Sequence, residues 1–393
     1  MQQQNNHAVI YLDHAATSWP KPPAVYEAVK HALEHDSANP GRGSHAMAVR
    51  ASRVLFQCRR QLASLLDVRN PVDIAFTGNT TLALNMAIFG YVLPGDHVIS
   101  TMTEHNSVWR PLEHLKRTAG IQVSYIAVDE QGRLDLAEVE RAFTSKTRLL
   151  VCNHSSNLLG SILPVDELSQ LAHRHGAAIL LDLAQSAGHI PVHLQQWEID
   201  LAAFPGHKGL LGPQGTGGLY ISPKLELSPW IYGGTGSQSE EPDQPSVRPD
   251  RYEAGTPNTP GIAGLAAGVW HVLEQTVEHI AEQEQQLTMQ LLDGLQHIDG
   301  VQVLGPALGQ PRTGIVSFTM QQQDAAQIAF RLDREFGIAV RAGMHCTPLA
   351  HRAVGTIETG AVRTSVGYGS TPEHVERLLE AIRHIGKSNE NHA

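Results

Sequence analysis

The chain has few of the residues that mark several common protein classes. Only 3 of its 393 residues are cysteines, namely Cys58, Cys152 and Cys346. They are too few and too widely separated for a disulfide framework, so we expect a reducing, cytoplasmic location. Aromatic residues make up 5% of the chain and charged residues 17%, whereas hydrophobic residues make up 41%. This length suits two or three ordinary domains or one large domain with a smaller one, and the apolar content allows a sizeable core.

Positive charge is also scarce. The chain has 29 Lys and Arg against 39 Asp and Glu, a formal net charge of -10. This balance disfavours non-specific binding to nucleic acids or to anionic membranes. No apolar run is long enough to span a bilayer, and the first residues lack the basic and apolar regions of a signal peptide. No metal-binding spacing accompanies the adjacent His345 and Cys346. We therefore expect no nucleic-acid, membrane or metal partner.

Helical and strand patterns alternate along the first half of the chain. The alternation predicts βαβ units and an α/β fold with a mostly parallel sheet. Segment 233–260 is rich in Gly, Pro, Ser and Asp and predicts a long functional loop. A long helix over 262–297, followed by short strands and helices, predicts a smaller C-terminal α/β domain. We place the large domain at 12–260 and the small one at 261–393, and we expect residues 1–11 to pack on the small one.

One lysine lies in an unusual setting. Lys208 follows His207 and precedes the glycine-rich, apolar segment 209–218. Glycine allows the backbone to approach a ligand closely, and an amine deprived of water becomes nucleophilic. The segment indicates a lysine that binds a carbonyl cofactor as a Schiff base. A phosphate loop or a tight turn could have the same composition.

An acidic residue follows a strongly apolar stretch upstream. Segment 178–186 predicts a buried strand that ends at Asp182 and continues into a turn of small residues. Ligands of open α/β sheets bind at the carboxyl ends of the strands. Pyridoxal phosphate (PLP) requires such an acid against its pyridine nitrogen. The alternative is that Asp182 caps a helix.

Three further segments follow predicted strands. Thr80 and its neighbours open a helix after the strand at 74–77, which is a typical anion site, although Thr80 could be an ordinary N-cap. His105 follows another strand, where it could stack on a cofactor ring or be merely a polar surface residue. Asn157 could hydrogen-bond a ring oxygen or simply form a turn.

The C-terminal half adds a thiol and two arginines. Cys346 lies beside His345 and near Arg341, a combination that can activate a thiol if it is exposed. A buried Cys346 would instead be an inert core residue. Arg363 offers a second guanidinium, which suits bidentate binding of a carboxylate.

Together these segments resemble the class V, fold-type I PLP-dependent aminotransferase family. Within it the closest resemblance is to the SUF-type (group II) cysteine desulfurases and selenocysteine lyases. It extends over nearly the whole chain, from the segment beginning at Tyr11 to the segment ending at Ser365. The resemblance implies a large domain with a mostly parallel seven-stranded sheet and a smaller C-terminal α/β domain. It also implies PLP as the cofactor.

The resemblance assigns roles to individual residues. It implies covalent binding of PLP by Lys208, with His105 over the ring and Asp182 at the pyridine nitrogen. The remaining cofactor-binding residues that it implies are His207, Thr80 and Thr81 at the phosphate, Gln185 and Asn157 near the ring oxygen, and Thr256 from a neighbouring subunit. The implied catalytic residues are Lys208, Cys346 and His105. The implied substrate-binding residues are Arg363, Arg341, Ala16 and Asn157.

The implied activity is conversion of L-cysteine to L-alanine by a homodimer, with a persulfide formed on Cys346 and passed to an acceptor protein, as in iron–sulfur cluster assembly. Two features depart from the family pattern. Pro205 stands where family desulfurases often have a serine, which removes a phosphate hydroxyl, and the thiol loop 344–349 differs from the best-studied SUF-type loops. Two alternatives stay open: a selenocysteine lyase or another C–S lyase, and a non-catalytic scaffold that binds a sulfur carrier.

Overall fold

A seven-stranded and a four-stranded β-sheet organise the computed structural model, which describes residues 9–41 and 43–390. The strands, in chain order, are β1 (Ile10–Tyr11), β2 (Ile74–Thr77), β3 (His97–Thr101), β4 (Gln122–Ile126), β5 (Thr147–Asn153), β6 (Ala178–Asp182), β7 (Leu201–Pro205), β8 (Gly217–Ile221), β9 (Val301–Leu304), β10 (Ile315–Met320), β11 (Ile338–Ala339), β12 (Arg341–Gly343) and β13 (Ala361–Ser365).

Helices cover both sheets. They are α1 (Pro23–His35), α2 (Ala46–Leu65), α3 (Thr80–Tyr91), α4 (Asn106–Thr118), α5 (Leu136–Ala142), α6 (Val165–Arg174), α7 (Thr259–Gln275), α8 (Val277–Gln296), α9 (Ala325–Phe336), α10 (Pro348–Ala353) and α11 (Pro372–Glu390). Within the described ranges, none of them combines the length and apolar character needed to cross a bilayer.

The seven-stranded sheet has the order β2-β8-β7-β6-β5-β3-β4. Its neighbours run parallel from β7 through β4, whereas β8 is antiparallel to both β2 and β7. Every residue of β6, β7 and β8 is buried, as expected for strands with helices on both faces. The prediction of a mostly parallel seven-stranded sheet is confirmed. The parallel arrangement brings the carboxyl ends of β5, β6 and β7 to one edge.

The four-stranded sheet is antiparallel and has the order β12-β13-β10-β9. Residues from α8, α9 and α11 share a buried hydrophobic cluster with its strands. The short strand β1 pairs in parallel with β11, with Ile10 opposite Ile338. The N-terminal residues 9–11 therefore pack on this smaller unit, while residues 1–8 of the predicted N-terminal contact lie outside the described residues.

The predicted single helix over 262–297 is wrong. The chain forms α7 and α8, because Thr276 between them adopts a left-handed φ of 63° and its side chain caps α8 by accepting a hydrogen bond from the His279 N–H. Helix α7 packs against α1 and α2, and Leu265 and Val269 belong to the core of the seven-stranded sheet. This packing favours a domain boundary after α7. The division into 12–260 and 261–393 stays a prediction.

The long loop over 233–260 is anchored at its far end by a buried ion pair. The Arg59 guanidinium on α2 donates to both oxygens of Glu253, at 2.6 and 3.1 Å. The Phe76 N–H of β2 donates to the same carboxylate at 2.6 Å. The segment that contains Thr256 is thus fixed to the edge strand of the large sheet.

Candidate active site

A cavity of about 230 Å³ lies at the carboxyl edge of the seven-stranded sheet, where the smaller sheet meets it. It is lined by residues at or after the ends of β2, β3, β5, β6 and β7, together with residues of β12 and β13. Its lining residues are Ala15, Ala16, Asn79, Thr80, Thr81, Leu84, His105, Ser107, Asn153, Ser155, Asn157, Asp182, Ala184, Gln185, His207, Lys208, Arg341, His345 and Arg363. Most of the side chains singled out in the sequence therefore meet in one place.

Lys208 follows β7 and extends into this cavity. The peptide carbonyl before it, that of His207, accepts hydrogen bonds from Thr17 Oγ1, from the N–H and Oγ of Ser18, and from Lys21 Nζ, at 2.9 to 3.1 Å. Burial, with the charge of Arg363, lowers the pKa of Lys208 from 10.5 to about 8. The backbone before Lys208 is therefore held in place, and the Lys208 amine is partly neutral near physiological pH.

Asp182 ends β6 and is 4% exposed. Its Oδ1 accepts a hydrogen bond from the Ala184 N–H at 2.9 Å, and a turn follows rather than a helix, so the helix-cap alternative is wrong. Burial raises the pKa of Asp182 to about 6, while the Ala184 N–H and the Lys208 amine counteract part of that rise. A buried, mostly ionised carboxylate thus lies near the lysine.

The part of the cavity lined by the start of α3 is suited to an anion. Asn79 caps α3 by accepting from the Leu82 N–H at 2.9 Å, and Thr80 and Thr81 form the first turn. The first N–H groups of a helix have no partner within it and carry the positive end of its dipole. His207 lies at the same cavity, with its Nδ1 3.1 Å from Thr17 Oγ1.

His105 is the N-cap of α4, and its Nδ1 accepts the Ser107 N–H at 3.1 Å. This contact places the ring proton on Nε2. Burial, together with the charge of Lys208, lowers the pKa of His105 to about 4. The side chain is therefore a neutral imidazole whose Nε2–H is available as a donor.

Cys346 lies at the rim of the cavity. Its Sγ is 3.8 Å from Nη2 of Arg341, and the side chain is half-buried, whereas Cys58 and Cys152 are fully buried. Of the residues that the structure describes around the thiol, Arg341 and His345 line the cavity, while Cys346 itself does not. The thiol thus lies half-buried beside a guanidinium rather than enclosed in the core.

Arg363 on β13 is the largest side chain that is almost fully buried, at 1% exposure. Its Nη2 donates to Asp13 Oδ1 at 2.9 Å and its Nη1 donates to the Asn157 carbonyl at 3.0 Å. Within residues 9–41 and 43–390, its Nε has no hydrogen-bond partner. The guanidinium is thus oriented by the protein, and its Nε–H is not used in that orientation.

The predicted ring-oxygen residues are also at the cavity, but their amides contact the protein. Gln185 Nε2 donates to the Ala15 carbonyl at 3.1 Å, and Asn157 Nδ2 donates to the His345 carbonyl at 2.7 Å. Ala16 lines the cavity near the N-terminal segment. These positions agree with proximity to a ligand, while the individual roles stay predictions.

Thr256 is the one predicted cofactor residue that the fold keeps apart from the others. It lines two separate surface cavities, together with Glu253, Gly255 and Pro257, and is not among the residues described at the Lys208 cavity. Within one chain, this threonine cannot be assigned to the same site as Lys208.

Sequence reasoning missed the residues that support the site from the N-terminal segment. Thr17, Ser18 and Lys21 hold the His207 carbonyl, and Asp13 orients Arg363. The interacting residues are about 190 and 350 positions apart in the chain. No local pattern reports such contacts, and only covariation among homologues could have indicated them.

The aminotransferase class-V family model matches residues 10–378 of the chain. A cysteine desulfurase of Escherichia coli is 35% identical over 393 residues, which covers 97% of this chain and 94% of that protein. The chain is thus similar over almost its whole length to a protein of that family.

Solved structures give the same result. A cysteine desulfurase from Thermococcus onnurineus superposes with a TM-score of 0.91 at 33% identity, covering 97% of this chain and 95% of the other. An Escherichia coli cysteine desulfurase superposes with a TM-score of 0.87 at 29% identity, covering 96% and 94%. From the match over residues 10–378 and these similarities, we conclude that the chain belongs to the aminotransferase class-V family.

Proposed function

We propose that this chain is a PLP-dependent cysteine desulfurase of the SUF type, which converts L-cysteine to L-alanine and collects the sulfur on Cys346. The observation that carries the proposal is the half-buried Cys346 thiol, 3.8 Å from the Arg341 guanidinium, at the rim of the cavity that contains Lys208 and Asp182. The names of the relatives support the same activity.

Members of this family depend on PLP, and the residues in the cavity fit that cofactor. Lys208 offers an amine with a lowered pKa for the aldehyde, Asp182 a buried carboxylate for the pyridine nitrogen, and the start of α3 a set of N–H groups for the phosphate. Bound there, PLP supplies an electron sink for charge that develops on the substrate. Pro205 lies at the end of β7 and contributes no side-chain donor to the phosphate.

The protein's own groups position the substrate. The free Nε–H of Arg363 suits the carboxylate of an amino acid, and the other two nitrogens of that guanidinium are held by Asp13 and Asn157. Lys208 Nζ, with a pKa near 8, can take up the proton from the substrate Cα and return it. His105 lies on the cavity wall with its Nε2–H available to donate.

The bonds and electrons of the sulfur-transfer step balance without a metal or an external oxidant. The Cys346 thiolate attacks the substrate sulfur, and a new S–S bond forms while the substrate C–S bond breaks. The bonding electron pair stays with the substrate Cβ, which takes up a proton and becomes the methyl group of alanine. Cys346 is left as a persulfide, whose outer sulfur an acceptor protein or a thiol reductant removes.

The direct test uses the purified enzyme, reconstituted with PLP, and L-cysteine with a thiol reductant. We expect alanine and sulfide in equal amounts, and we expect mass spectrometry without reductant to show one added sulfur on the peptide containing Cys346. Absence of alanine, with the cofactor demonstrably bound, would refute the proposal. A nucleophilic free thiol also suits a reducing compartment, and we infer a cytoplasmic location on that ground.

We also propose that the enzyme is a homodimer in which Thr256 completes the phosphate site of the partner. Support comes from the separation of Thr256 from the Lys208 cavity and from exposed apolar side chains on the surrounding surface, among them Phe56, Ile231 and Tyr232. Such a surface is typical of a protein–protein interface.

Mixed dimers test this arrangement. Lys208→Ala and Thr256→Ala chains are each impaired alone, but their hybrid contains one site with both Lys208 and Thr256 intact if Thr256 acts on the partner. We expect activity to reappear when the two variants are refolded together. No recovery, with dimers present by light scattering, would show that Thr256 does not act across the interface.

A further inference from the structure

Two consecutive residues of the thiol loop have left-handed backbone conformations. His345 has a φ of 47° and Cys346 a φ of 60°, and neither is a glycine. Side chains with a Cβ rarely adopt this region, because the Cβ approaches the following carbonyl oxygen. Such a pair persists only when surrounding contacts hold it.

Those contacts come mainly from the large sheet's side of the cavity. The Asn106 N–H donates to the Cys346 carbonyl at 2.8 Å, and Asn157 Nδ2 donates to the His345 carbonyl at 2.7 Å. Thr347 Oγ1 lies 2.9 Å from the Glu104 carbonyl and 3.3 Å from the Thr103 carbonyl. Both carbonyls of the left-handed pair, and the residue after it, are therefore fixed to other elements.

Two of these groups are side-chain donors, and of the two donors Asn157 lines the cavity whereas Thr347 does not. It is fully buried, does not line the cavity, and follows Cys346 directly. Its hydroxyl reaches the turn that carries His105, so it joins the thiol loop to the β3–α4 turn.

We propose that Thr347 is a positioning residue for sulfur transfer: its hydroxyl holds the His345–Cys346 pair in the left-handed conformation and so keeps Sγ beside Arg341. The chemical reason is geometric, because attack on a substrate sulfur needs the thiolate at a fixed distance and direction. This role rests on the proposed desulfurase function, whereas the conformational effect of Thr347 can be measured without it.

The experiment compares three variants of the full-length enzyme. Thr347→Val keeps the shape of the side chain and removes the hydroxyl, and Thr347→Ser keeps the hydroxyl. Thr288→Val is the matched control, since Thr288 is equally buried and donates to the Glu284 carbonyl within α8, away from the thiol. Iodoacetamide labelling followed by peptide mass spectrometry reports each cysteine separately, and the buried Cys58 and Cys152 serve as internal references.

We expect Thr347→Val to speed alkylation of Cys346 by about fivefold. Loss of one hydrogen bond should shift the equilibrium away from the held conformation by a factor of about that size. Thr347→Ser and Thr288→Val should match the parent. A Thr347→Val rate within about twofold of the parent, or a Thr347→Ser rate equal to that of Thr347→Val, would overturn the role of the hydroxyl.

Turnover separates this proposal from the proposed function. We expect kcat for alanine formation to fall about tenfold in Thr347→Val, with KM and the absorbance of bound cofactor unchanged, and to recover in Thr347→Ser. If the parent forms no alanine but the labelling result stands, the desulfurase proposal fails and the conformational role survives. If the parent forms alanine and Thr347→Val has the parental kcat, the positioning role fails alone.

Discussion

The two walls of the cavity are constructed in different ways. The lysine wall, formed by Lys208 and Asp182, follows two adjacent parallel strands whose residues are all buried. The thiol wall, formed by Arg341 and Arg363 with Cys346 at its rim, belongs to the small antiparallel sheet and the loop beside it. The first wall is fixed by strand pairing within one core, whereas the second depends on contacts between two sheets and on left-handed backbone at the thiol.

This difference has a chemical consequence. In the proposed function, groups on the lysine wall hold the cofactor, and a core sheet gives them fixed positions at low conformational cost. The thiol would then meet a substrate sulfur and later an acceptor, and a half-buried loop residue can do both. Damage to the first wall should therefore remove cofactor chemistry, and damage to the second should remove sulfur transfer alone.

Lys208→Ala should have the largest effect. The variant loses the only proposed covalent anchor and the group that moves the Cα proton, so turnover should fall by at least about 10³-fold. The absorbance band of bound cofactor should disappear while circular dichroism stays parental. Substantial desulfurase activity without added amines would refute the assignment of the lysine wall.

Cys346→Ser should separate the two walls. Cofactor absorbance and its change on adding cysteine should remain, while sulfide release and persulfide formation should fall by more than about 10²-fold, since a hydroxyl is a far weaker nucleophile. Selenium leaves carbon more readily than sulfur does, so this variant should retain much more of the parental turnover on selenocysteine than on cysteine. Normal release of sulfur from cysteine, with no persulfide on the parent, would make the chain a PLP lyase with a structural thiol.

Asp182→Asn should impair the lysine wall without removing the cofactor. A neutral amide cannot stabilise a protonated pyridine nitrogen, so we expect kcat to fall by about 10²-fold with the cofactor retained. Asp182→Asn should slow the turnover of cysteine and of selenocysteine equally, whereas Cys346→Ser should slow mainly the turnover of cysteine. A parental rate would show that Asp182 is only a turn residue.

The pH dependence of cofactor attachment should give the smallest effect. The Lys208 amine reacts only when neutral, and its pKa is lowered to about 8. Raising the pH therefore increases the reactive fraction, and the rate of PLP uptake by apoenzyme should rise about fivefold from pH 7 to pH 8 and then level off. The rate at which a free lysine derivative reacts with PLP should keep rising up to about pH 10. The same continued rise in the protein would show that burial does not lower the lysine pKa.

The sequence indicated the lysine wall well because its signals are local. A buried apolar strand before Asp182 and glycine-rich sequence around Lys208 can be recognised within a few residues, and both side chains do line one cavity. The strands β7 and β8 were not predicted, because β7 ends at Pro205 and β8 begins with paired glycines, residues that usually mark turns. The break at Thr276 was missed for the opposite reason, since threonine does not signal a helix end.

The sequence by itself determined the alternation of strands and helices and the mostly parallel sheet, and it singled out the amine, acid and thiol on which the proposed function depends. These follow from periodicity and from chemistry that each residue carries with it. Only the tertiary structure decided that Asp13 orients Arg363, that Thr17 and its neighbours hold the His207 carbonyl, and that Thr347 joins the thiol loop to the β3–α4 turn. Such contacts join residues far apart in the chain, so they exist only when the chain has folded and these segments have been packed together.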